Sequence, residues 1–212
     1  MNALLYTVQI MNNQQKEDAA TLEILQVIEN QDNVTQRHLA DKLDVALGLA
    51  NSYLKRCVKK GLVKVQQAPA NRYLYYLTPQ GFSEKSRLTA QYLSSSFNFY
   101  RESSDSISSL FNQCEQKNLK RIIFCGISEL AEIASIRVAE HDLTVIGSWE
   151  PNSNAELFLH LPVWKTINDV PDFDICILMS LDKAAEYYQS LVYEIGKEKI
   201  LVPSILGIRD QE

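Results

Sequence analysis

The chain has 212 residues, 46% of them hydrophobic, and a formal net charge of -5. This length suits one large domain or two small ones, and the composition is that of a folded globular protein. No apolar run approaches the ~20 residues that a membrane-spanning helix needs. The sequence therefore predicts no membrane-spanning helix.

The charge is distributed unevenly along the chain. Residues 1–80 carry 9 Lys/Arg against 7 Asp/Glu, residues 81–118 carry 4 against 4, and residues 119–212 carry 8 against 15. Because an acidic surface repels polyanionic nucleic acid, we expect any DNA binding to belong to the N-terminal part.

The N-terminal segment and the cysteines favour a cytoplasmic protein. Met1–Met11 is mildly apolar but lacks the basic start of a signal peptide. Cys57, Cys114, Cys125 and Cys176 form no C-x-x-C pair, so we expect buried free thiols in a reducing compartment. The sequence therefore predicts cytoplasmic localisation, with neither a disulfide framework nor a metal site.

Three helices are predicted first. Apolar residues recur at three- and four-residue intervals in Asp18–Gln31, which is typical of a helix. Thr35 is the expected N-cap of a second helix that ends near Leu43. The third helix is predicted over residues 47–60, and Gly61 ends it.

A β-hairpin follows these helices. The sequence predicts a strand at Leu62–Val65, a loop at Gln66–Asn71 and a returning strand at the aromatic-rich Arg72–Leu77. A helix, a helix-turn-helix and a hairpin together make a winged helix, so we assign residues 1–80 to a DNA-binding domain of this type.

Residues 81–118 are predicted as a helical connector. Thr78 is the expected cap of a helix that has Pro79 in its first position and extends to about Arg101, and a second helix is predicted over Ile107–Cys114.

The connector carries apolar side chains that we expect to be exposed. These are Leu88, Tyr92, Phe97 and Tyr100, and they favour packing against a second copy in a homodimer. The alternative is a connector that packs on its own domains.

Strands alternate with helices from Leu119 onward, which predicts a parallel sheet with helices on its faces. The expected strands are Arg121–Cys125, Leu143–Ser148, Phe173–Ser180 and Ile200–Val202, and the expected helices are Ser128–Glu140 and Asp182–Ile195. The predicted fold is therefore α/β and two-domain: a winged helix-turn-helix, the connector, and a Rossmann-like domain over residues 119–212.

The third helix combines a predicted core face with a basic face. Ala50, Leu54, Val58 and Leu62 recur every four residues and are expected to face the core. Positions 47–64 contain five Lys/Arg and no acidic residue, which suits a phosphate backbone. The candidate DNA-binding residues are Gln36, Arg37, Gly48, Asn51, Ser52, Lys55, Arg56, Lys59, Lys64 and Arg72.

These candidates are expected to have different roles. Asn51 and Ser52 near the front of the helix suit base edges, whereas Lys and Arg farther along suit phosphates. Gln36 and Arg37 could clamp the backbone. The alternatives are a basic face that is simply solvated, and a winged helix that docks protein.

A series of short motifs runs through Thr35–Leu93. With them the segment resembles the MarR-type winged-helix regulators associated with exopolysaccharide gene clusters. The resemblance implies a transcriptional regulator of surface polysaccharide or cell-envelope genes. Such a regulator binds double-stranded DNA. Ala46 departs from the pattern, since such proteins usually place Ser there as the N-cap of the recognition helix. The matching residues are Gln36-Arg37-x-Leu39-Ala40, Leu47-Gly48-x-x-Asn51, Lys55, Lys60-Gly61-x-Val63-Lys64-Val65, and Tyr76-Leu77-Thr78-Pro79-x-Gly81 followed by Glu84-Lys85-x-Arg87-Leu88-Thr89.

The turn after the first strand of the acidic half resembles an incomplete dinucleotide cradle. In Gly126-Ile127-Ser128-Glu129-Leu130-Ala131, Ser128 replaces the second glycine of G-x-G-x-x-G, and Glu129 adds negative charge at a helix N-terminus. The carboxyl ends of the predicted strands supply the candidate ligand-binding residues Gly126, Ser128, Glu150 and Ser180.

Further motifs connect this half with known domains. They are Ile123-Phe124-x-Gly126-x-x-Glu129-x-Ala131-Glu132-Ile133-Ala134, Val145-Ile146-Gly147 and Leu161-Pro162-Val163. With them the half resembles the N-terminal Rossmann-like domain of hexapeptide-repeat sugar acyltransferases. That resemblance implies a nucleotide or nucleotide sugar as a small-molecule effector.

The sequence shows no catalytic constellation. His38, His141 and His160 are dispersed, and G-x-S-x-G and P-loop motifs are missing from the sequence. We therefore predict that the protein is not an enzyme. The alternative is an enzyme or scaffold acting on nucleotide sugars, with the winged helix as a docking module.

Overall fold

The fold is taken from a computed structural model that describes residues 13–31, 34–69 and 72–208. It divides into two compact units, Met1–Ser96 and Phe97–Glu212. The first is a winged helix and the second an α/β domain with a mostly parallel sheet, which confirms the predicted fold class. The Met1–Met11 segment and part of the loop predicted at Gln66–Asn71 lie outside the described residues.

The winged helix has three helices and a hairpin in its described residues. Ile24 and Leu25 of the first helix are fully buried and pack with Leu39 and Leu54 of the next two helices in one hydrophobic core. The elements are α1 (Asn13–Asn30), α2 (Gln36–Leu43), α3 (Leu47–Lys59), β1 (Val63–Ala68) and β2 (Arg72–Leu77), and the strands pair antiparallel.

The helix ends follow the local sequence. The Thr35 side chain accepts a hydrogen bond of 3.1 Å from the His38 N–H and caps α2 as predicted. Gly61 has φ +70°, the left-handed conformation expected of a residue that terminates a helix. Ala46 provides no side-chain cap, yet α3 still begins at Leu47.

Two predictions within the winged helix were wrong. Val58 is 36% exposed although it was predicted to face the core, whereas Cys57 is buried as expected, at 2% exposure. Burial raises the pKa of the Cys57 thiol, which fits an inert core residue. The first strand of the hairpin continues to Ala68, because its residues pair in register with the returning strand as far as Arg72.

The predicted pair of connector helices is one helix, α4 (Pro79–Gln116), of 38 residues. Its N-terminus is capped as predicted, since the Thr78 hydroxyl accepts a hydrogen bond of 2.9 Å from the Gly81 N–H. Leu88 is buried, contrary to prediction, whereas Phe97 and Tyr100 are exposed. The boundary between the two compact units falls inside this helix.

The α/β domain is built on a sheet of six strands in the described residues, ordered β5-β6-β4-β3-β7-β8. Neighbouring strands pair in parallel, except for β5 with β6. The strands are β3 (Arg121–Cys125), β4 (Thr144–Trp149), β5 (Leu157–Phe158), β6 (Leu161–Trp164), β7 (Ile175–Leu178) and β8 (Ile200–Leu201), and the helices are α5 (Glu129–Arg137) and α6 (Ala184–Ile195).

Alternate residues of the central strands supply two cores, one on each face of the sheet. Ile122 and Phe124 pack with the last turns of α4 and with α5, and Ile123 packs with α6. Cys125 and Cys176 lie on neighbouring strands and form a disulfide, contrary to the expected free thiols.

The missing cap of α3 leads to a stability prediction. Replacing Ala46 with Ser supplies an oxygen acceptor for an N–H of the first turn, and we expect a gain of about 1 kcal/mol. Amide hydrogen exchange of peptides within Leu47–Lys59 should slow. Ala46→Val adds no acceptor and should leave exchange unchanged, so equal protection in both variants would contradict the capping argument.

Candidate functional site

The outer face of α3 presents four of the predicted DNA-binding residues. Gly48, Ser52, Lys55 and Lys59 follow one another at intervals of four, three and four residues, and all four are exposed. This spacing places them on one side of the helix, opposite its buried side. They therefore form a continuous outer face, which we call the α3 outer face.

Lys55 and Lys59 supply the positive charge of this face. Among the described residues, neither of them forms an ion pair. No described carboxylate therefore neutralises the two ammonium groups.

Arg56 is placed differently from the two lysines. Its guanidinium pairs with the carboxylate of Glu17 on α1 and lies 5.9 Å from the ring centroid of Tyr53. The hydrogen bond and charge of Glu17 raise the pKa of Arg56. Arg56 is thus held on the α1 side of α3, apart from the α3 outer face.

Asn51 and the start of α2 lie beside this face. Asn51 is half-buried, and its Oδ1 is buried with no hydrogen-bond partner in the described part of the chain. Gln36 and Arg37 are both exposed at the start of α2. Gln36 Nε2 donates a long hydrogen bond of 3.4 Å to the Tyr75 hydroxyl.

We call the hairpin the wing. Two of the predicted DNA-binding residues, Lys64 and Arg72, lie on it. Val65 lines a groove beside Lys55, and successive side chains of a strand point to opposite faces. The exposed Lys64 therefore lies on the other face of the wing. The backbone of Arg72 pairs with Ala68 in β2, but its side chain lies outside the described atoms.

The four candidate ligand-binding residues of the α/β domain come together where β3, β4 and β7 end, which we call the carboxyl edge. Gly126 has φ +113°, and a Cβ at this position would lie 2.5 Å from the backbone nitrogen of Ser180. Glycine is required here because the two strand ends approach so closely.

Both serines at the carboxyl edge use their hydroxyls within the domain. Ser128 Oγ donates to the Met179 carbonyl and accepts from the Leu130 N–H at 3.1 Å, as the N-cap of α5. Ser180 Oγ donates to Asp182 Oδ1 at 3.1 Å. Neither hydroxyl can therefore donate a hydrogen bond to a ligand without rearrangement.

The carboxylate of Glu150 occupies the turn that would hold a phosphate. Its Oε2 accepts a hydrogen bond of 3.2 Å from the Ile127 N–H, and its Oε1 accepts from the Tyr187 hydroxyl and from the Asn152 N–H at 3.3 Å. Because like charges repel, a phosphate can enter this turn only if the carboxylate leaves.

Tyr187 and Asn152 were missed by the sequence analysis. Tyr187 is buried on α6, its ring lies edge-on to Trp149 at 5.1 Å between centroids, and its hydroxyl accepts a 3.0 Å hydrogen bond from Asn152 Nδ2. Burial raises the pKa of Tyr187 most, and the hydrogen bond to Glu150 raises it further. The hydroxyl therefore stays protonated and acts as a hydrogen-bond donor. Because Asn152 and Tyr187 lie far apart in the sequence, no local motif could indicate that they meet.

The family comparison agrees with the N-terminal fold. Residues 17–64, from α1 into β1, match a family model described as winged helix-turn-helix DNA-binding. This match supports a DNA-binding winged helix at the N-terminal end of the chain. No curated protein matches the chain.

Several solved structures share parts of the fold. MepR, a transcription regulator of the Staphylococcus aureus multidrug efflux pump MepA, is 18% identical with a TM-score of 0.35, over 45% of this chain and 67% of that one. A MarR transcriptional regulator from Methanosarcina mazei is 20% identical with a TM-score of 0.35, over 53% and 91%. Human N-acetylserotonin methyltransferase is 12% identical with a TM-score of 0.32, over 94% and 76%. These values are too low to carry an argument about function.

None of the described helices combines the length and the apolar character needed to cross a membrane.

The Glu150 network predicts a stability effect confined to the α/β domain. Tyr187→Phe removes a hydrogen bond to a carboxylate, and we expect a loss of roughly 1.5–3 kcal/mol. Urea unfolding followed by tryptophan fluorescence reports on this domain, which contains both tryptophans. Tyr193→Phe is the control, because Tyr193 is 92% exposed. Equal stability of the two variants would contradict the assigned network.

Proposed function

We propose that this protein is a transcriptional regulator that places α3 in the major groove of double-stranded DNA. The observation that carries the proposal is the α3 outer face, where Lys55 and Lys59 are exposed and form no ion pair with a described residue. A helix with unpaired cations on one side and a buried opposite side meets the requirements of a duplex-binding element.

The positions along α3 suggest separate roles. Ser52, with Asn51 beside it, lies nearer the N-terminus of the helix and would read base edges. Lys55 and Lys59 would bind phosphates, with Arg37 at the start of α2. Arg56 would join them only after release from Glu17, and Lys64 and Arg72 would extend the contact along the wing.

A homodimer would present two such helices to successive turns of the duplex. Exposed apolar side chains on α4, Leu93, Phe97 and Tyr100, support this arrangement, because their exposure in one chain leaves apolar surface for a second copy to cover. We propose that this helix provides the dimer contact.

For the α/β domain we propose an effector role at the carboxyl edge. A nucleotide or nucleotide sugar would place its phosphate on the Ile127 N–H and displace Glu150 from Tyr187. Ligand entry is then coupled to rearrangement of a buried hydrogen-bond network. With the resemblance described above, surface polysaccharide genes are the proposed targets.

The DNA proposal is tested by duplex titration over a range of salt concentrations. We expect a steep negative slope of log affinity against log salt, with Lys55→Gln and Lys59→Gln each reducing it by about one. Lys117→Gln, at an exposed position after α4, is the charge-matched control. Salt-independent affinity that survives both α3 changes would reject the proposal.

Gly48 gives a test that leaves the charge unchanged. A Cβ added here meets no atom within 4 Å, and alanine should favour the helix by about 0.5–1 kcal/mol. Gly48→Ala should therefore be more stable. Because the added methyl group projects from the surface that faces DNA, Gly48→Leu should weaken duplex binding while keeping the fold. Unchanged affinity of the leucine variant would place the duplex elsewhere.

The effector proposal is tested by thermal shift with ATP, NADH and UDP-glucose. Glu150→Gln removes the competing charge and should strengthen the binding of a phosphate-bearing effector. A ligand present at 100 times its Kd adds about 2.7 kcal/mol to the stability of the protein. A shift that is larger in the variant than in the wild type supports displacement. No shift in either protein would leave a scaffold role for this domain.

A further inference from the structure

The first turn of α3 carries two exposed leucines. Leu47 and Leu49 are each 45% exposed, whereas Ala50 beside them is buried in the core. From Ala46 to Ala50 no side chain has a group that donates or accepts a hydrogen bond. The side chains of this turn therefore offer a neighbouring molecule apolar contacts and no hydrogen bonds.

Gly48 leaves a gap between the two leucines. It is exposed, and a Cβ added to it would meet no atom within 4 Å. Because successive residues of a helix are about 100° apart, Leu47 and Leu49 lie on either side of this gap. A flat molecule can approach the helix backbone at Gly48, and it then contacts the leucines on both sides.

The gap is continuous with the cationic part of the α3 outer face. Gly48 lies on the same side of the helix as Lys55 and Lys59, which are exposed and form no ion pair with a described residue. An apolar protein surface placed over the leucines would leave this neighbouring charge unneutralised. A polyanion that also exposes apolar groups between its phosphates satisfies both parts of the face.

The edges of the base pairs supply one such apolar group. In the major groove they present hydrogen-bond donors and acceptors, except for the C5-methyl group of thymine. A leucine side chain gains by packing on that methyl group, whereas it leaves a donor or acceptor that it covers without a partner. Side chains of a helix lean toward its N-terminus, so those of Leu47 and Leu49 project from the end of α3 that would meet the base edges.

We propose that Leu47 and Leu49 select thymine in the DNA site by packing on its C5-methyl group. The absent side chain of Gly48 lets the base pair come close enough for these contacts. The inference rests on the proposed DNA-binding function and deepens it, because it names the base that the first turn of α3 selects. The selection requires no hydrogen bond, in contrast to the roles proposed for Asn51 and Ser52.

The test begins with a duplex selected from a random pool by the full-length wild-type protein. Each thymine is then replaced singly by deoxyuridine, which lacks only the methyl group and keeps the pairing with adenine. At one or two positions we expect the affinity of the wild type to fall about threefold to fivefold. The slope of log affinity against log salt should stay unchanged, because no phosphate contact is lost.

Two alanine variants assign the sensitive thymines to the leucines. Leu47→Ala and Leu49→Ala remove the exposed side chains and keep a residue that favours the helix, so the fold is retained. A deoxyuridine that weakens the wild type should have little further effect on the variant that has lost the same contact. Leu157→Ala is the matched control, because Leu157 is an exposed leucine of the α/β domain, and it should keep the wild-type pattern.

A second replacement separates the methyl group from the rest of the thymine base. At a sensitive position the T·A pair is exchanged for C·G, with either cytosine or 5-methylcytosine in place of thymine. The methylated cytosine should bind the wild type more tightly than the unmodified one, because it restores the methyl group at the same edge. Equal affinity for the two cytosines would overturn the inference.

The outcomes distinguish this inference from the function on which it rests. If the wild type binds the selected duplex but tolerates every deoxyuridine, or if both alanine variants keep the wild-type pattern, the inference fails alone. The same holds if the alanine variants change only the oligomeric state in sedimentation, because the leucines then contact protein. If the folded wild type binds no duplex at any salt concentration, both proposals fail.

Discussion

The rotation of α3 about its axis is the constraint on which the candidate interface depends. Ala50, Leu54 and Cys57 are buried together at intervals of four and three residues, and this set fixes which side of the helix meets the core. Neighbouring positions on a helix are about 100° apart. The burial of position 57 and the exposure of position 58 therefore set the direction of the other side chains of the helix.

This rotation explains why the basic residues of α3 lie on different sides of the helix. Lys55 and Lys59 are directed to solvent, whereas Arg56 is turned toward α1 and its Glu17 carboxylate. Val58 is moved out of the core and to the edge of the wing. One packing choice thus produces both the cationic outer face and the exposed Val58 beside it.

Internal carboxylates occupy two positions that the sequence analysis assigned to nucleic acid or nucleotide phosphates. Glu17 holds Arg56, and Glu150 accepts from the Ile127 N–H at the proposed cradle. In each case the residue type suited an anion, and the anion is supplied by a distant part of the chain. Local sequence identifies such a donor, but it cannot show which acceptor the fold brings to it.

Features that depend on neighbouring residues could be predicted from the sequence, whereas features that depend on distant residues could not. The caps at Thr35 and Thr78, the terminator Gly61 and the strand Arg72–Leu77 depend on local backbone chemistry, and all were predicted. The short strands β5 and β6, with two and four residues, are too brief to show a period.

Other differences depend on contacts between distant residues. The continuous α4 includes the buried serines 103, 104 and 106, residues whose weak helix propensity the packing overrides. The disulfide between Cys125 and Cys176 joins positions 51 residues apart. Only the pairing of β3 with β7 brings them together, and cysteine spacing alone does not predict that pairing.

The Glu17–Arg56 pair bears on how the interface could adapt to DNA. Both side chains are partly exposed, and exposed ion pairs contribute little to stability because water competes for each partner. A DNA phosphate brought close by Lys55 and Lys59 would offer Arg56 an equivalent anion at a small cost in folding stability. The arginine would then become a second point of attachment, on the α1 side of the helix. A contact on this flank would restrict rotation of α3 in the major groove, which a single row of lysines on its outer face could not do.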